Sequence, residues 1–218
     1  MVNLFINYYI DKNKERHLEL MQCFLKNRLN NSIDKMYVFI DIETPAKKVE
    51  RVIFIDINSR PTFSDFFELI NRVSIEGDIN IIANSDIYFD EENIELIKSN
   101  IKENECYALA RWDIQHDGST KLFNRPDTND VWVFKGKIKP VPDCENIFLG
   151  KCGCDNAIAE RIQRAGYVVK NPCLDIKTFH LHLTQIRNYD RKDTTPKPYL
   201  LIHPHKLNSA TFSNIIPA

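Results

Sequence analysis

Apolar and polar positions divide the chain into short buried runs alternating with longer amphipathic stretches. Val2 to Tyr9 is an apolar, aromatic run that predicts a first strand. Lys14 to Asn30 carries Leu18, Leu20, Met21, Phe24, Leu25 and Leu29 at helical spacing, with Asn30-Asn31 to close the helix. Met36 to Asp41 predicts a second buried strand ending in a carboxylate. Val49 to Ile57 predicts a third, in which Val52, Phe54 and Ile57 are mixed with charge. Pro61, an N-cap at Thr62 or Ser64 and an apolar face of Phe66, Phe67 and Ile70 predict the next helix.

A fourth strand, Ile79 to Ala83, ends in the polar cluster Asn84-Ser85-Asp86, and Asp90 caps a helix over Glu91 to Asn100. Cys106 to Asp113 predicts a further strand, and Ile114 to Asp127 a polar loop. Asp130 to Gly136 alternates cleanly, as a strand or edge strand, and Ile138 to Leu149, with two prolines, reads as a loop or lid. Gly150 to Asn156 leads into a helix over Ala157 to Ala165 that stops at Gly166. Strands follow from Tyr167 and over Ile176 to Thr184. The tail from Gln185 is basic and loses its pattern near Ser209, so residues 209–218 are expected to lack order.

Strands alternating with helices through the first half predict an α/β fold with a mainly parallel central sheet flanked by helices. The second half is more irregular, as if it adds a partner pocket to that sheet. No repeat or composition break appears, so residues 1–208 are expected to form one domain, with halves of about 1–105 and 106–208.

Composition narrows the function without choosing it. At 218 residues, 43% hydrophobic and 27% charged, the chain is long enough to bury a full core. With 29 basic and 30 acidic residues it has no global pull toward nucleic acid or membrane, and no basic arm or zinc-finger spacing argues for nucleic acid. The N-terminus lacks the charged and apolar regions of a signal peptide, and no window approaches the ~18 apolar residues of a transmembrane segment. Six scattered cysteines, with Cys152-Gly-Cys154 lacking a second pair, read as reduced and mostly buried thiols of a cytoplasmic protein.

Candidate chemistry begins at Asp86. A buried strand that delivers a carboxylate at its C-terminal edge is a common ligand site in α/β proteins, and hard oxygen ligands suit Mn2+ or Mg2+ holding a diphosphate. Asn, Ser and Asp are equally the residues of an ordinary turn. Asp41, at the end of the second strand, either meets the imide N–H of a pyrimidine or closes a turn. Arg60 stands beside a helix N-terminus whose free N–H groups favour an anion.

Four blocks in order, Asn84-Ser-Asp86, Asp130-Val-Trp-Val-Phe, Gly153-Cys-Asp-Asn156 and Thr178-Phe-His-Leu-His182, resemble a GT-A nucleotide-sugar glycosyltransferase over about residues 2 to 205. The likeness is greatest to the small N-terminal GT-A domain of chlorovirus multidomain glycosyltransferases and related bacterial and viral enzymes. It implies a single Rossmann-like domain that takes a sugar from a nucleotide-sugar donor, a UDP-sugar first, to a hydroxyl of a glycan acceptor.

The resemblance implies that Asp86 binds the metal, with His180 (or His182) completing its sphere. Asn84 replaces the first carboxylate of the usual Asp-X-Asp motif and can hold a ribose hydroxyl or a metal-bound water without supplying charge. Asp155 is the implied base of an inverting transfer; it also fits as a helix N-cap, and Asp130 and Asp113 are alternates. Gly153 beside it leaves room for a substrate. Tyr8 or Tyr9 stacks on uracil, Ser85 joins the donor site, and Arg60, Lys151 and Arg187 are candidates for the diphosphate. Trp112 and Trp132 floor the acceptor site or pack in the core. The rival functions are a nucleotidyltransferase and a non-catalytic sugar-binding module of the same fold.

Overall fold

Side chains on both faces of a parallel sheet must be covered, so its strands read as continuous apolar runs. The computed structural model describes residues 1–40, 49–57, 59–186 and 193–218, so Asp41 and Arg187 lie outside the described residues. In chain order the described elements begin β1 (Val2–Tyr8), α1 (Lys14–Leu29), β2 (Lys35–Ile40), β3 (Val52–Asp56), α2 (Phe63–Val73), β4 (Ile79–Ala83), β5 (Ile87–Tyr88) and α3 (Glu91–Asn100). The second half adds β6 (Glu105–Leu109), β7 (Trp112–Ile114), β8 (Thr120–Leu122), β9 (Val131–Lys135), α4 (Cys154–Arg164), β10 (Val168–Lys170), β11 (Phe179–His180), β12 (Tyr199–Ile202) and β13 (Ser213–Ile216).

A seven-stranded sheet runs β10-β6-β9-β4-β1-β2-β3, and every strand is parallel to the rest except β9. Along β1, Phe5 faces one core, with Phe63, Phe66, Phe67 and Ile70 of α2 and Ile158 and Ile162 of α4. Leu4 and Ile6 face the other, with Ile94 and Ile97 of α3. The chain leaves β1 for β2 and β3 on one side and returns to β4 on the other. The C-terminal ends of β1 and β4 therefore flank the switch point where α/β proteins bind ligands. A second sheet, β5-β11-β7-β8, stands beyond that end.

The expected caps are present. Thr62 forms a capping box with Asp65 on α2, and the Asp90 side chain accepts from Asn93 N at the start of α3. Five expectations change. The stretch over 114–127, expected as a polar loop, carries β8, which pairs antiparallel with β7. The run over 106–113 breaks at Ala110-Arg111, and β7 pairs in the second sheet rather than continuing β6. β9 is a central strand between β4 and β6, buried on both faces, rather than an edge. The expected strand over 176–184 shortens to Phe179–His180. The tail expected to lack order carries β13, whose main chain pairs antiparallel with β12.

A polar knot ties α2 to the sheet. Wholly buried Asn80 accepts from Ser74 Oγ at 2.6 Å and Asn3 Nδ2 at 3.1 Å, and donates to Gly136 O at 2.8 Å. Replacing Asn80 with Ala strands a hydroxyl, an amide and a carbonyl away from water. Asn80→Ala is expected to cost roughly 2–4 kcal/mol of unfolding free energy in a urea titration; a loss under about 0.5 kcal/mol would mean that water replaces the side chain there.

Candidate functional site

The second sheet assembles the site from three distant parts of the chain. β11 pairs antiparallel with β5, setting His180 opposite Ile87, and parallel with β7, setting His180 opposite Asp113. Asp86, one residue before β5, accepts the Leu181 N–H on its carbonyl at 2.9 Å. His180 consequently lies between two carboxylates: Nδ1 is 2.6 Å from Asp113 Oδ1, and Nε2 is 3.2 Å from Asp86 Oδ2. The His182 ring stands 5.5 Å from that of His180, edge to face, with Nε2 2.7 Å from Ile186 O. His182 reaches the site from beyond the end of β11.

Ligand atoms of Asp86, His180 and His182 all fall within 4.8 Å of one another. One carboxylate and two imidazoles form a donor set that suits Mn2+, and Asp113 on the far nitrogen of His180 is the partner that fixes the tautomer of a ligating histidine. Charge fits as well. Arg16 and Arg111 stand among Glu19, Asp86, Asp113 and Asp130 in one connected network; the two remaining carboxylate charges face His180 and, once that ring gives up its proton to ligate, a divalent cation. Burial pulls the His180 imidazole down, but the Asp86 charge and the Asp113 hydrogen bond outweigh it and push the group to about 9. Burial favours protonated Asp86, yet His180 and Arg16 hold that carboxyl far below the usual range.

Arg16 had no signal in the sequence. It projects from the inner face of α1; Nη2 donates to Asp86 Oδ2, and Nη1 donates to Glu19 Oε2 at 2.9 Å and Leu181 O at 3.1 Å. The helical pattern of Leu18, Leu25 and Leu29 promised a buried apolar stripe, but these residues are 49, 38 and 68% exposed. The buried face is instead Arg16, Glu19, Leu20, Cys23 and Asn27. Charge on that face has meaning only once Asp86 and Leu181 are known to lie opposite it.

A cleft of about 710 Å3 contains Asp86, His180 and His182 on one wall and Asp155 on another. Asp155 lies in the first turn of α4, whose N-cap is Gly153, so Asp155 does not serve as the cap. Its Oδ2 accepts a long 3.3 Å bond from Asn129 N, and no described cation pairs with it. Burial first, then the neighbouring Asp130 charge, push its carboxyl up to about 7.

The two alternates are engaged elsewhere. Arg111 bonds Asp113 Oδ1 at 2.9 Å and Asp130 Oδ2 at 3.2 Å, and Asn84 Nδ2 donates to Asp130 Oδ1 at 2.7 Å. Asn84 thus grips Asp130, while its own Oδ1 is buried with no described partner. Ser85 Oγ donates to Asn7 O at 2.6 Å, tying the end of β4 to the end of β1.

Gly153 has φ +74°, and a Cβ there would stand 2.6 Å from the Tyr199 hydroxyl. The room expected for a substrate is taken by that tyrosine. Trp132 is wholly buried, edge-on to Phe63 with centroids 4.8 Å apart, and so cannot floor an acceptor site. Trp112 gives its Nε1–H to Cys173 O at 2.9 Å and lies outside the cleft lining. Phe123 does line the cleft, with the Arg111 guanidinium 4.5 Å and that of Arg125 5.5 Å from its ring centre. A smaller cavity of about 310 Å3 is lined by Tyr8, Tyr9, Phe39, Ile57 and Arg60, and shares Asn7, Tyr9 and Arg60 with the main cleft. Tyr8 also packs on Phe24 of α1 at 5.6 Å. Lys151 lines the cleft and pairs with Asp193 at 2.7 Å.

The architecture is that of the GT-A, Rossmann-like glycosyltransferases. It superposes on the mannosyltransferase PcManGT from Pyrobaculum calidifontis in complex with GDP-Man and Mn2+ (TM-score 0.55, 10% identity, 86% of this chain and 58% of that chain). It also superposes on S. aureus TarS 1-349 in complex with UDP-GlcNAc (0.51, 7% identity, 90% and 62%). A third match is GalNAc-T7 with UDP, GalNAc and Mn2+ (0.50, 10% identity, 84% and 43%). The chain therefore spans about three fifths or less of the length of these structures. No family model and no curated protein matches the sequence. Among the described residues no helix is long and apolar enough to cross a membrane.

The raised Asp155 carboxyl has a stability consequence. Between about pH 4 and 7 the folded state holds a proton that the unfolded state releases, so folding weakens as pH rises through that window and stays weakened above it. Asp155→Asn cannot ionise and escapes this loss. The variant is expected to gain roughly 2–4 kcal/mol over the parent at pH 8 and little at pH 4.5; equal melting temperatures at both pH values would show that the carboxylate is solvated.

Proposed function

We propose that the chain is a metal-dependent, inverting glycosyltransferase that moves a sugar from a nucleotide-diphosphate donor, UDP-linked first, to a hydroxyl of a glycan. The observation that carries this is the pairing, in one cleft at the sheet's switch point, of the Asp86–His180–His182 donor set with a buried carboxylate that has no described cation partner. Three solved structures of the same fold hold nucleotide sugars or their parts, two of them with Mn2+, which supports the assignment.

The smaller cavity takes the base and ribose, with Tyr8 or Tyr9 against the base and Arg60, which lines both cavities, facing the diphosphate. Asp86 and the two histidines would hold Mn2+ or Mg2+, which would supply positive charge against a leaving diphosphate. Asp155 removes the proton of the acceptor hydroxyl. That oxygen bonds to the anomeric carbon while the bond to the diphosphate breaks from the opposite face, and the electron pair departs with the phosphate. Burial raises the Asp113 carboxyl, but His180 and Arg111 outweigh it and hold the group below its ordinary range, so it is a weaker base than Asp155. Asp130 is engaged by Arg111 and Asn84. Phe123 offers the apolar face on which an acceptor sugar ring stacks.

Asp86→Ala is expected to abolish Mn2+-dependent release of nucleotide diphosphate from a nucleotide-sugar panel, and Asp155→Asn to lower transfer at least ~100-fold while the donor still binds. Metal-stimulated release surviving in Asp86→Ala, or near-normal turnover in Asp155→Asn, would remove the corresponding assignment. Phe123→Ala should raise the acceptor KM about tenfold, on the order of one stacking contact; an unchanged acceptor KM would place the platform elsewhere.

A further inference from the structure

Arg16 is the one arginine or lysine in contact with the metal-competent carboxylate, among the described residues, and it is built in rather than draped over the surface. It is 5% exposed. Its guanidinium is fixed at three points: Glu19, the Leu181 carbonyl and Asp86. Glu19 is held in turn, accepting the Thr184 N–H at 2.8 Å and the Thr184 hydroxyl at 2.9 Å. One network therefore binds α1 to the segment that carries both histidines, and it places a permanent positive charge on the oxygen of Asp86 that His180 also faces.

A divalent cation shared by Asp86, His180 and His182 must sit beside that guanidinium, and like charges at such range in a buried site repel strongly. It must also compete for Asp86 Oδ2. Glu19 offsets only part of the Arg16 charge. A diphosphate entering the cleft changes the balance, because its anionic oxygens attract both cations and offer the guanidinium a second acceptor.

We propose that Arg16 competes with the divalent cation for Asp86, so that metal binds the resting protein weakly and is recruited together with the nucleotide diphosphate. This rests on the assignment of Asp86, His180 and His182 as the metal ligands. Arg16 is in this sense a positioning residue: it holds Asp86 in place while the metal is away, and couples metal affinity to donor. The coupling is reciprocal, so the metal must tighten the nucleotide by the same factor as the nucleotide tightens the metal.

The test is a titration of the full chain with MnCl2, followed by the paramagnetic resonance signal of free Mn2+, with and without UDP. Arg16→Met, which keeps the length but not the charge, is expected to bind Mn2+ at least tenfold more tightly without UDP and to show a smaller tightening when UDP is added. Arg16→Lys, which keeps the charge though not the three-point grip, should bind Mn2+ more weakly than Arg16→Met. Glu19→Gln, which removes the compensating anion, should move the other way and weaken Mn2+ binding, and it supplies an answer even where Arg16→Met fails to fold. Arg16→Met affinity equal to or weaker than the parent's, or Glu19→Gln affinity unchanged or tighter, would overturn the competition. Asp86→Ala separates the two levels. Mn2+ binding that disappears with it but is no tighter in Arg16→Met ends this inference alone. Mn2+ binding that survives it, or is absent from parent and Arg16→Met alike, ends the metal assignment as well.

Discussion

The main-chain pairing of β11 with β5 and β7 is the constraint on which the site depends. Asp86, Asp113 and His180 come from segments separated by as many as 94 residues, and the register His180↔Ile87 and His180↔Asp113 brings them together without help from their side chains. The order of cause matters. Taking the Arg16, Asp86 and His180 charges out of water costs more than a surface ion pair returns, so the charge network cannot be what drives assembly. The ladder and the two apolar cores beneath it hold the chain in place, and the charged groups then satisfy one another in the positions they are given.

Within that frame the carboxylates separate into two kinds. Asp113 and Asp130 share Arg111, and Asp130 also receives the Asn84 amide. Asp155 has neither, and burial beside Asp130 raises its proton affinity instead of lowering it. This division gives Asn84 a physical reason. An aspartate at that position would set a third carboxylate 2.7 Å from Asp130, where the amide now donates a hydrogen bond. The neutral residue in the motif is thus fitted to its neighbour at the start of β9, and the carboxylate of the motif that faces the histidines is Asp86 alone.

What the sequence discloses follows the range of the interaction that decides each feature. β1, β2 and β4 are plain from their apolar runs, and α2 and α3 from their caps, because these signals are local. Asp155, Asp86 and the histidines are legible as motif positions. Short β5, β7, β8 and β11 are not, since two or three residues carry no period and exist as strands only through their partners. The break at Ala110-Arg111 escapes for the same reason: both sides are apolar, and only the change of partner from β9 to β11 ends the strand. Trp132 misleads because a tryptophan two residues from Asp130 looks like a binding platform until both faces of β9 are seen to be covered.

The hardest feature to read is α1, and it shows how an enclosed polar site distorts a helix pattern. Its inner face makes few apolar contacts and instead completes the edge of β5. The Asn27 amide donates to Ile87 O at 2.8 Å and accepts from Phe89 N at 3.1 Å, and Asn30 Nδ2 donates to Phe89 O at 3.1 Å. These side chains do what a neighbouring strand would do for an otherwise open edge. About three turns earlier on the same face, Arg16 reaches Asp86 at the start of that edge. A helix bound by periodic hydrogen bonds has a fixed register, because each amide must meet its own carbonyl; an apolar stripe would permit sliding. The inverted polarity of α1 therefore sets the position of the Arg16 charge to within a hydrogen bond, which an exposed, flexible arginine could not achieve.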